Sequence, residues 1–222
     1  MSEYKKWAGI YFDEDLFTIK DGESGELIEE LKNSIKGRMI FHKYVVDDYT
    51  GIPEHNNYLN KRYKRNKEEA EKTLKNRDYR GYINLHAKPY RLEPLLEIFN
   101  MADVEDKIKA ELLSDIWTMI EKPSVNKEYW IELFKYFKKR KKWLMTEEEF
   151  EFFNNLPEEI TIYRGSEYIE GISCTLSEEK AEWFAKRFDR NGNVFEKTVK
   201  KSDCLCYLND REEQEIIYID KV

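Results

Sequence analysis

The sequence predicts an α+β protein, with a mostly helical region over residues 1–156 followed by a compact mixed β core over residues 157–222. Apolar residues that recur at intervals of three and four indicate the helical region. After Pro157 the apolar runs become short and rich in β-branched and aromatic residues, which is typical of strands. The 222 residues include 12 Phe, 15 Tyr and 5 Trp, so a chain with 37% charged residues can still bury a core. The two regions could also pack as a single domain.

The first 82 residues combine helical and strand patterns. An apolar run rich in β-branched and aromatic residues, MIFHKYVV at 39–46, predicts one strand. The charge-dense stretch 59–82 predicts a solvated helix with Glu and Lys at helical spacing. Ahead of the strand, helical spacing is shown by Leu27, Ile28, Leu31 and Ile35.

The middle of the chain is predicted to be helical. Pro94 suits the first turn of a helix that runs to about Met101. Thr146 and Glu149 form a capping box, which opens a short helix through Phe153. Between these helices lie two apolar stripes: Val104, Ile108, Leu112, Ile116 and Ile120, closed by Pro123, and Trp130, Leu133, Phe134 and Phe137, closed by the basic run KKRKKW at 138–143.

The C-terminal third is predicted to hold five short strands and one helix. Ser177 is suited to cap the helix, and Glu178 and Glu179 follow in its first turn. Asn191-Gly192 predicts a tight turn before the third strand. The buried face of the helix is predicted to be Ala181, Phe184, Ala185 and Phe188. The strands are predicted at 160–164, 171–175, 194–199, 204–208 and 215–219.

Composition excludes several classes of function. A net charge of -7 disfavours a general attraction to nucleic acid. No apolar stretch approaches the ~20 residues of a membrane span, and MSEYKKWAG lacks the apolar region of a secretory signal. The sequence therefore predicts a cytoplasmic protein without a membrane partner; an effector delivered into another cell without a cleaved signal would have the same features. The odd number of cysteines, three, fits a reducing compartment, and Cys204 and Cys206 are predicted to be apolar strand residues.

Common motifs for cofactors and metals are missing from the sequence. It contains no G-x-G-x-x-G, Walker A or H-E-x-x-H motif. The histidines, His42, His55 and His86, are scattered along the chain, so no metal site is predicted.

Three short pieces carry residue types suited to chemistry. Arg164 ends a strand beside Gly165, where its paired donors can hold an anion such as phosphate. Ser173 and Thr175 stand at i and i+2, on one face of a strand. Glu213-Gln214-Glu215 likewise predicts two carboxylates on one face at the start of a strand. Each piece alone also has a plain interpretation: an ion pair, an ordinary β surface or a solvated acidic loop.

Together and in this order, the pieces resemble the ADP-ribosyltransferase family with an Arg / Ser-Thr-Ser / Glu-x-Glu arrangement, found in bacterial toxins, phage enzymes and animal ecto-enzymes. ISCTLSEEKAEWFA matches the helix with an Ala-x-x-Phe face that follows the hydroxyl strand in that family. In EQEIIY the second acid leads directly into an apolar strand, as it does there. The resemblance covers roughly residues 158–222. The chain differs in reading Ser-Cys-Thr and in a shorter segment between its Arg164 and Ser173.

The resemblance implies a mono-ADP-ribosyltransferase that cleaves NAD, its substrate, and passes ADP-ribose to a protein. Glu215 would bind the nicotinamide ribose and stabilise its developing cation, and Glu213 would orient or deprotonate the acceptor. A Glu at that position goes with arginine as acceptor in this family. The acceptor loop would be about residues 207–212, where Asp210 and Arg211 are candidate contacts.

The same resemblance assigns the remaining site residues. Arg164 would hold an NAD phosphate, and Ser173 would position Glu215, with Thr175 giving weaker support of the same kind. Tyr163, Gly165 and Phe184 would complete the NAD-binding set, by contact with nicotinamide or adenine in the case of the two aromatic residues.

Three other functions remain open at this stage. The same site could pass ADP-ribose to water, as an NAD glycohydrolase does, or it could bind without turnover. A nucleic-acid-binding protein could use the basic stretches 60–82 and 135–143, where Tyr63, Tyr79 and Tyr82 lie among the basic residues of the first stretch.

Overall fold

The computed structural model describes residues 24–120, 126–168, 170–187 and 192–219. The chain divides into two compact units, Met1–Pro94 and Leu95–Val222. The helices between residues 95 and 157 therefore belong to the same unit as the predicted C-terminal strands. Each unit contains helices and an antiparallel sheet, so the predicted α+β class is confirmed. None of the helices within the described ranges is long and apolar enough to cross a membrane.

The N-terminal unit is built around a three-stranded antiparallel sheet. Its elements are α1 Glu29–Lys32, β1 Ile35–Lys36, β2 Met39–His42, β3 Val45–Asp48, α2 Pro53–Lys75, α3 Tyr79–Asn84 and a 3₁₀ turn, Lys88–Tyr90.

Three expectations for this unit were wrong. The run at 39–46 is a hairpin rather than one strand, because the chain reverses at Lys43-Tyr44 and pairs His42 with Val45. Ile35 pairs in β1 and does not continue a helix.

The third wrong expectation is the single helix predicted over 59–82, which is in fact divided into α2 and α3. Helix α2 ends at Lys75 because Arg77 adopts a left-handed φ of 61°. Asp78 then caps α3 by accepting from the Gly81 N–H.

The tyrosines of the basic stretch belong to the interior of this unit. Tyr63, Tyr79 and Tyr82 are buried, with no more than 8% of their surface exposed. Base stacking requires an exposed aromatic face. The stretch therefore offers positive charge without the aromatic platform that the nucleic-acid interpretation needed.

Helices form the first half of the C-terminal unit. They are α4 Leu92–Phe99, which spans the division, α5 Asp106–Met119, α6 Lys127–Tyr136, a 3₁₀ helix Lys138–Leu144 and α7 Glu147–Asn155. The predicted capping box at Thr146 is present, with both of its hydrogen bonds to Glu149. The predicted apolar face of α6 is buried, as expected. Pro123, the predicted end of the first stripe, lies outside the described residues.

The buried face of α5 differs from the predicted stripe. Ile108 is exposed, whereas its neighbour Lys109 is buried. The Lys109 Nζ donates to the carbonyls of Phe99 and Met101, at 3.0 and 2.9 Å, at the end of α4. This rotation of the face also brings Trp117 into the interior. Lys109, and not Ile108, is therefore the buried residue here, because its ammonium group satisfies the terminal carbonyls of α4.

The second half of the unit is a five-stranded antiparallel sheet in the order β6-β4-β5-β8-β7. All five predicted strands are present: β4 Glu159–Ser166, β5 Ser173–Thr175, β6 Asn193–Lys200, β7 Cys204–Leu208 and β8 Glu215–Tyr218. The predicted helix, α8 Glu178–Lys186, follows β5 and is capped by Ser177. Phe188 and Asn191, predicted for its face and for the next turn, lie outside the described residues.

The core of this sheet is formed by β-strand side chains under α7. Phe153 of α7 is buried against apolar strand residues, which occupy alternate positions in β4. Cys204 belongs to the same core, and burial raises the pKa of its thiol to about 12, so the thiol is protonated. The other buried members are Ile160, Ile162, Val199, Tyr207, Ile216 and Tyr218.

Gly165 allows α8 to lie directly on β4. A Cβ on this residue would overlap the Ala181 carbonyl oxygen and lie 2.7 Å from the Ala185 backbone nitrogen. Gly165 is therefore a packing residue, and its φ is not left-handed.

Replacing Gly165 by alanine is expected to destabilise the protein by about 1–3 kcal/mol, because the helix backbone must move away from the strand. Urea unfolding measures the change. Gly37→Ala provides a reference for an alanine that meets no neighbouring atom, although its φ of 63° adds local strain. An unchanged unfolding midpoint for Gly165→Ala would contradict the close packing.

Candidate functional site

A cavity of about 690 Å³ opens between the sheet, α5, α6 and α8 of the C-terminal unit. This volume lies within the range of small-molecule sites. All eight residues predicted for catalysis and NAD binding line this cavity: Tyr163, Arg164, Gly165, Ser173, Thr175, Phe184, Glu213 and Glu215.

Glu215 is the buried carboxylate of the cavity. It begins β8, pairs with Thr175 of β5, and exposes only 6% of its surface. Its Oε1 accepts hydrogen bonds from the Ser173 hydroxyl and from the Trp117 indole Nε1, the latter at 3.0 Å. Burial raises the pKa of Glu215, and the hydrogen bonds from Ser173 and Trp117 oppose that rise. The carboxylate is thus held in one orientation at an energetic cost.

Glu213 lies in a turn and not on the strand. Glu212 and Gln214 both have left-handed φ values, 56° and 49°, so the alternation expected across Glu213-Gln214-Glu215 does not apply. Glu213 nevertheless faces the cavity. Its Oε2 accepts from Arg211 Nη2 at 2.9 Å, and its side chain is 19% exposed.

The turn that carries Glu213 is fixed by hydrogen bonds from both sides. Thr175 Oγ1 donates to the Glu213 carbonyl at 2.7 Å, so this hydroxyl supports Glu213 rather than Glu215. Asn209 N donates to Glu149 Oε1 at 2.7 Å, and Asn209 Oδ1 accepts from Gln214 N at 3.1 Å. The capping-box glutamate of α7 therefore also anchors this turn.

The loop predicted at 207–212 begins later in the chain, after β7 ends at Leu208. Tyr207 lies in β7, is buried, and stacks on Phe152. The exposed part of the connection contains Asp210, Arg211 and Glu212. These three residues are exposed, and the connection runs on to Gln214.

Arg164 is a half-buried cation without a carboxylate partner in the described part of the chain. Its Nη1 donates to the Ser173 carbonyl at 2.6 Å, while its buried Nε has no hydrogen-bond partner. Burial lowers the pKa of Arg164, because charge that leaves water is not fully compensated. A cation in this position, facing a cavity, favours an anionic ligand.

Gly171 provides the surface on which the Arg164 guanidinium lies. A Cβ at position 171 would overlap the guanidinium carbon and approach Nη1 to 2.5 Å. No role could be assigned to Gly171 from the sequence, since a glycine before a strand has many interpretations.

Gly171→Ala is therefore expected to displace the Arg164 side chain without changing the charge of the cavity. Because a bidentate anion contact depends on the position of the guanidinium, we expect the Kd for NAD, the ligand that the family resemblance implies, to rise about 10-fold, the loss of roughly one charged hydrogen bond. Calorimetric titration with NAD measures it. Gly51→Ala, in the other unit, provides the reference glycine substitution; equal Kd values for both variants and the unaltered protein would contradict the role of Gly171.

Several cavity residues were not identified from the sequence. They come from helices or from the residue that follows a helix, where no motif pointed to a site: Trp117, Ile120, Lys127, Trp130 and Arg187. Trp117 packs edge-on against Trp130 and Phe134, with ring centroids 5.4 and 5.2 Å apart. The contact between Trp117 and Glu215 could not be predicted because 98 positions separate the two residues in the sequence.

The donor set of the cavity suits an organic anion. Among the residues that the structure describes, no group of three or more His, Cys, Asp or Glu could hold a metal ion. Arg164 supplies charge for an anion, Tyr163 and Phe184 supply aromatic surface, and Glu215 supplies a fixed negative charge. These are the elements of a site for a ligand with a phosphate, a ring and a centre that becomes positive.

The described part of the chain is therefore an α+β protein whose C-terminal unit contains a candidate site for an organic anion. None of the protein-family models, characterised proteins or solved structures with which the chain was compared matches it.

Proposed function

We propose that the chain is a mono-ADP-ribosyltransferase that cleaves NAD and transfers ADP-ribose to an arginine side chain of a protein. One observation carries the proposal: Ser173 of β5 donates its hydroxyl hydrogen bond to the buried Glu215 of β8, in a cavity that Arg164 also lines. The order of these residues resembles the ADP-ribosyltransferase motif, and their meeting in one cavity supports the shared chemistry. We propose that the five-stranded sheet and α8 form the ADP-ribosyltransferase-like core.

The cavity has the residues that NAD would need. Arg164 would hold a phosphate, which accounts for a cation that lacks a carboxylate partner among the described residues. Tyr163 and Phe184 would contact the nicotinamide or adenine ring. Gly165 lines the same cavity at the point where α8 meets β4.

The first step would break the bond between the nicotinamide nitrogen and ribose C1′. The bonding electron pair leaves with nicotinamide, which becomes neutral, and positive charge develops on the ribose. Glu215 would stabilise this charge, and its burial makes the interaction stronger than it would be in water. Ser173 and Trp117 would keep the carboxylate in place.

The second step would form a bond between ribose C1′ and a guanidinium nitrogen of the acceptor. That nitrogen loses one proton, which Glu213 would accept and release to solvent. Glu213 is suited to this role because it borders the cavity, remains partly exposed, and is separated from the buried Glu215 by one residue.

Two alternatives use the same cavity. Water could replace arginine in the second step, which would make the protein an NAD glycohydrolase. The cavity could also bind its ligand without turnover. The basic stretches 60–82 and 135–143 define a separate nucleic-acid hypothesis, weakened by the burial of Tyr63 and its neighbours.

Incubation of the protein with labelled NAD and a cell lysate tests the proposal. The expected result is free nicotinamide together with label bound to protein at arginine, identified by mass spectrometry, and the absence of both with Glu215→Gln. Nicotinamide release without label on any macromolecule would indicate the glycohydrolase. NAD binding without release would indicate a binding protein, and neither binding nor release would overturn all three.

A further inference from the structure

A second, smaller cavity of about 260 Å³ lies beside the first on the same unit. It shares Phe184, Arg211 and Glu213 with the larger cavity, and its remaining lining residues are Glu179, Lys180 and Trp183 of α8. Glu213 therefore faces both spaces. A group bound in the smaller cavity would lie next to whatever occupies the larger one.

The walls of this region already bind guanidinium groups of the chain itself. The guanidinium carbon of Arg187 lies 4.9 Å from the ring centroid of Trp183. The Arg211 guanidinium donates to Glu213 Oε2 at 2.9 Å. An aromatic face and a carboxylate are the two partners that a guanidinium prefers. Both are present here within one small cavity.

The carboxylates of the smaller cavity have capacity for one more guanidinium. Arg211 engages Oε2 of Glu213, and a carboxylate accepts through both of its oxygens. Glu179 adds a second carboxylate to the lining. Trp183 is 53% exposed, so the indole is accessible from solvent, as a site for a side chain of another protein requires.

We propose that the smaller cavity binds the guanidinium of the acceptor arginine, with Trp183 as its aromatic face and Glu213 as its carboxylate. The inference rests on the proposed transferase function and specifies how its acceptor is recognised. The acceptor nitrogen would approach the larger cavity past Glu213, which both cavities share.

The test uses agmatine as a small guanidinium acceptor, with the full chain and NAD. Trp183→Ala is expected to raise the KM for agmatine about 10-fold, because the cation–π contact is lost. Trp183→Phe, which keeps an aromatic face, is expected to restore most of the affinity. Tyr129→Ala is the matched control, since Tyr129 is a comparably exposed aromatic residue, 56%, that lines neither cavity.

The outcomes separate this inference from the proposed function. Equal KM values for Trp183→Ala and the unaltered protein would overturn the inference while leaving the transferase in place. If the unaltered protein releases no nicotinamide, or releases it without modifying agmatine, the proposed function fails, and calorimetric titration with agmatine alone decides the inference. Binding that Trp183→Ala weakens then supports a guanidinium site, whereas no binding, or binding unaffected by this change, overturns it.

Discussion

Glu215→Gln is expected to lower the rate of nicotinamide release by at least about 10³-fold, because a fixed negative charge next to the developing cation is replaced by a neutral amide. The amide oxygen can still accept from Trp117 and Ser173, so the cavity keeps its shape. Release of nicotinamide from labelled NAD measures the rate. Glu212→Gln is the matched control, since Glu212 is an exposed acid of the adjoining turn.

The same substitution is expected to raise the melting temperature by a few degrees near neutral pH. Burial raises the folded-state pKa of Glu215 above the value in the unfolded chain. Between these two pKa values the folded state binds more protons, so the free energy of unfolding decreases as pH rises through that window. The neutral Gln avoids the cost of burying a charge, so the variant gains stability while it loses the carboxylate proposed for catalysis. A variant that is inactive and also less stable at every pH would contradict this account.

Trp117→Phe is expected to lower kcat by about 10- to 100-fold, the equivalent of one hydrogen bond of ~1.5–3 kcal/mol to a charged group. Trp117 acts through Glu215 and is a positioning residue. Its indole N–H also stabilises the carboxylate anion and so lowers the pKa of Glu215 against the effect of burial. Loss of the N–H should raise that pKa further.

The pH profile distinguishes this role from simple packing. The proposed mechanism requires ionised Glu215, so the rate should fall as pH drops below its raised pKa, and Trp117→Phe should move this acid limb to higher pH. Trp130→Phe makes the same change in the same aromatic cluster, without a hydrogen bond to Glu215 in the described contacts. It should lower stability and leave the limb in place. Equal displacement of the limb in both variants would contradict a specific role for Trp117.

The strands, the helix after β5 and the two helix caps could be predicted because their signals are local. Thr146 and Glu149 are three residues apart, and Ser177 bonds to the N–H of Lys180. The errors occurred where a local pattern fits two structures. The run 39–46 is equally suited to one strand or to a hairpin. Lys109 is buried instead of Ile108 because its ammonium group donates to a carbonyl at the end of α4.

For the candidate site, the sequence alone determined which residue types stand in or next to β4, β5 and β8, since the position of a strand along the chain follows from its local residue pattern. Tertiary structure decided which atoms meet. It placed the Trp117 indole on Glu215, moved Glu213 into a turn between residues with left-handed φ, and left Arg164 over Gly171 without a carboxylate partner among the described residues. Contacts between elements far apart in sequence depend on how whole faces pack, and no local spacing encodes that choice.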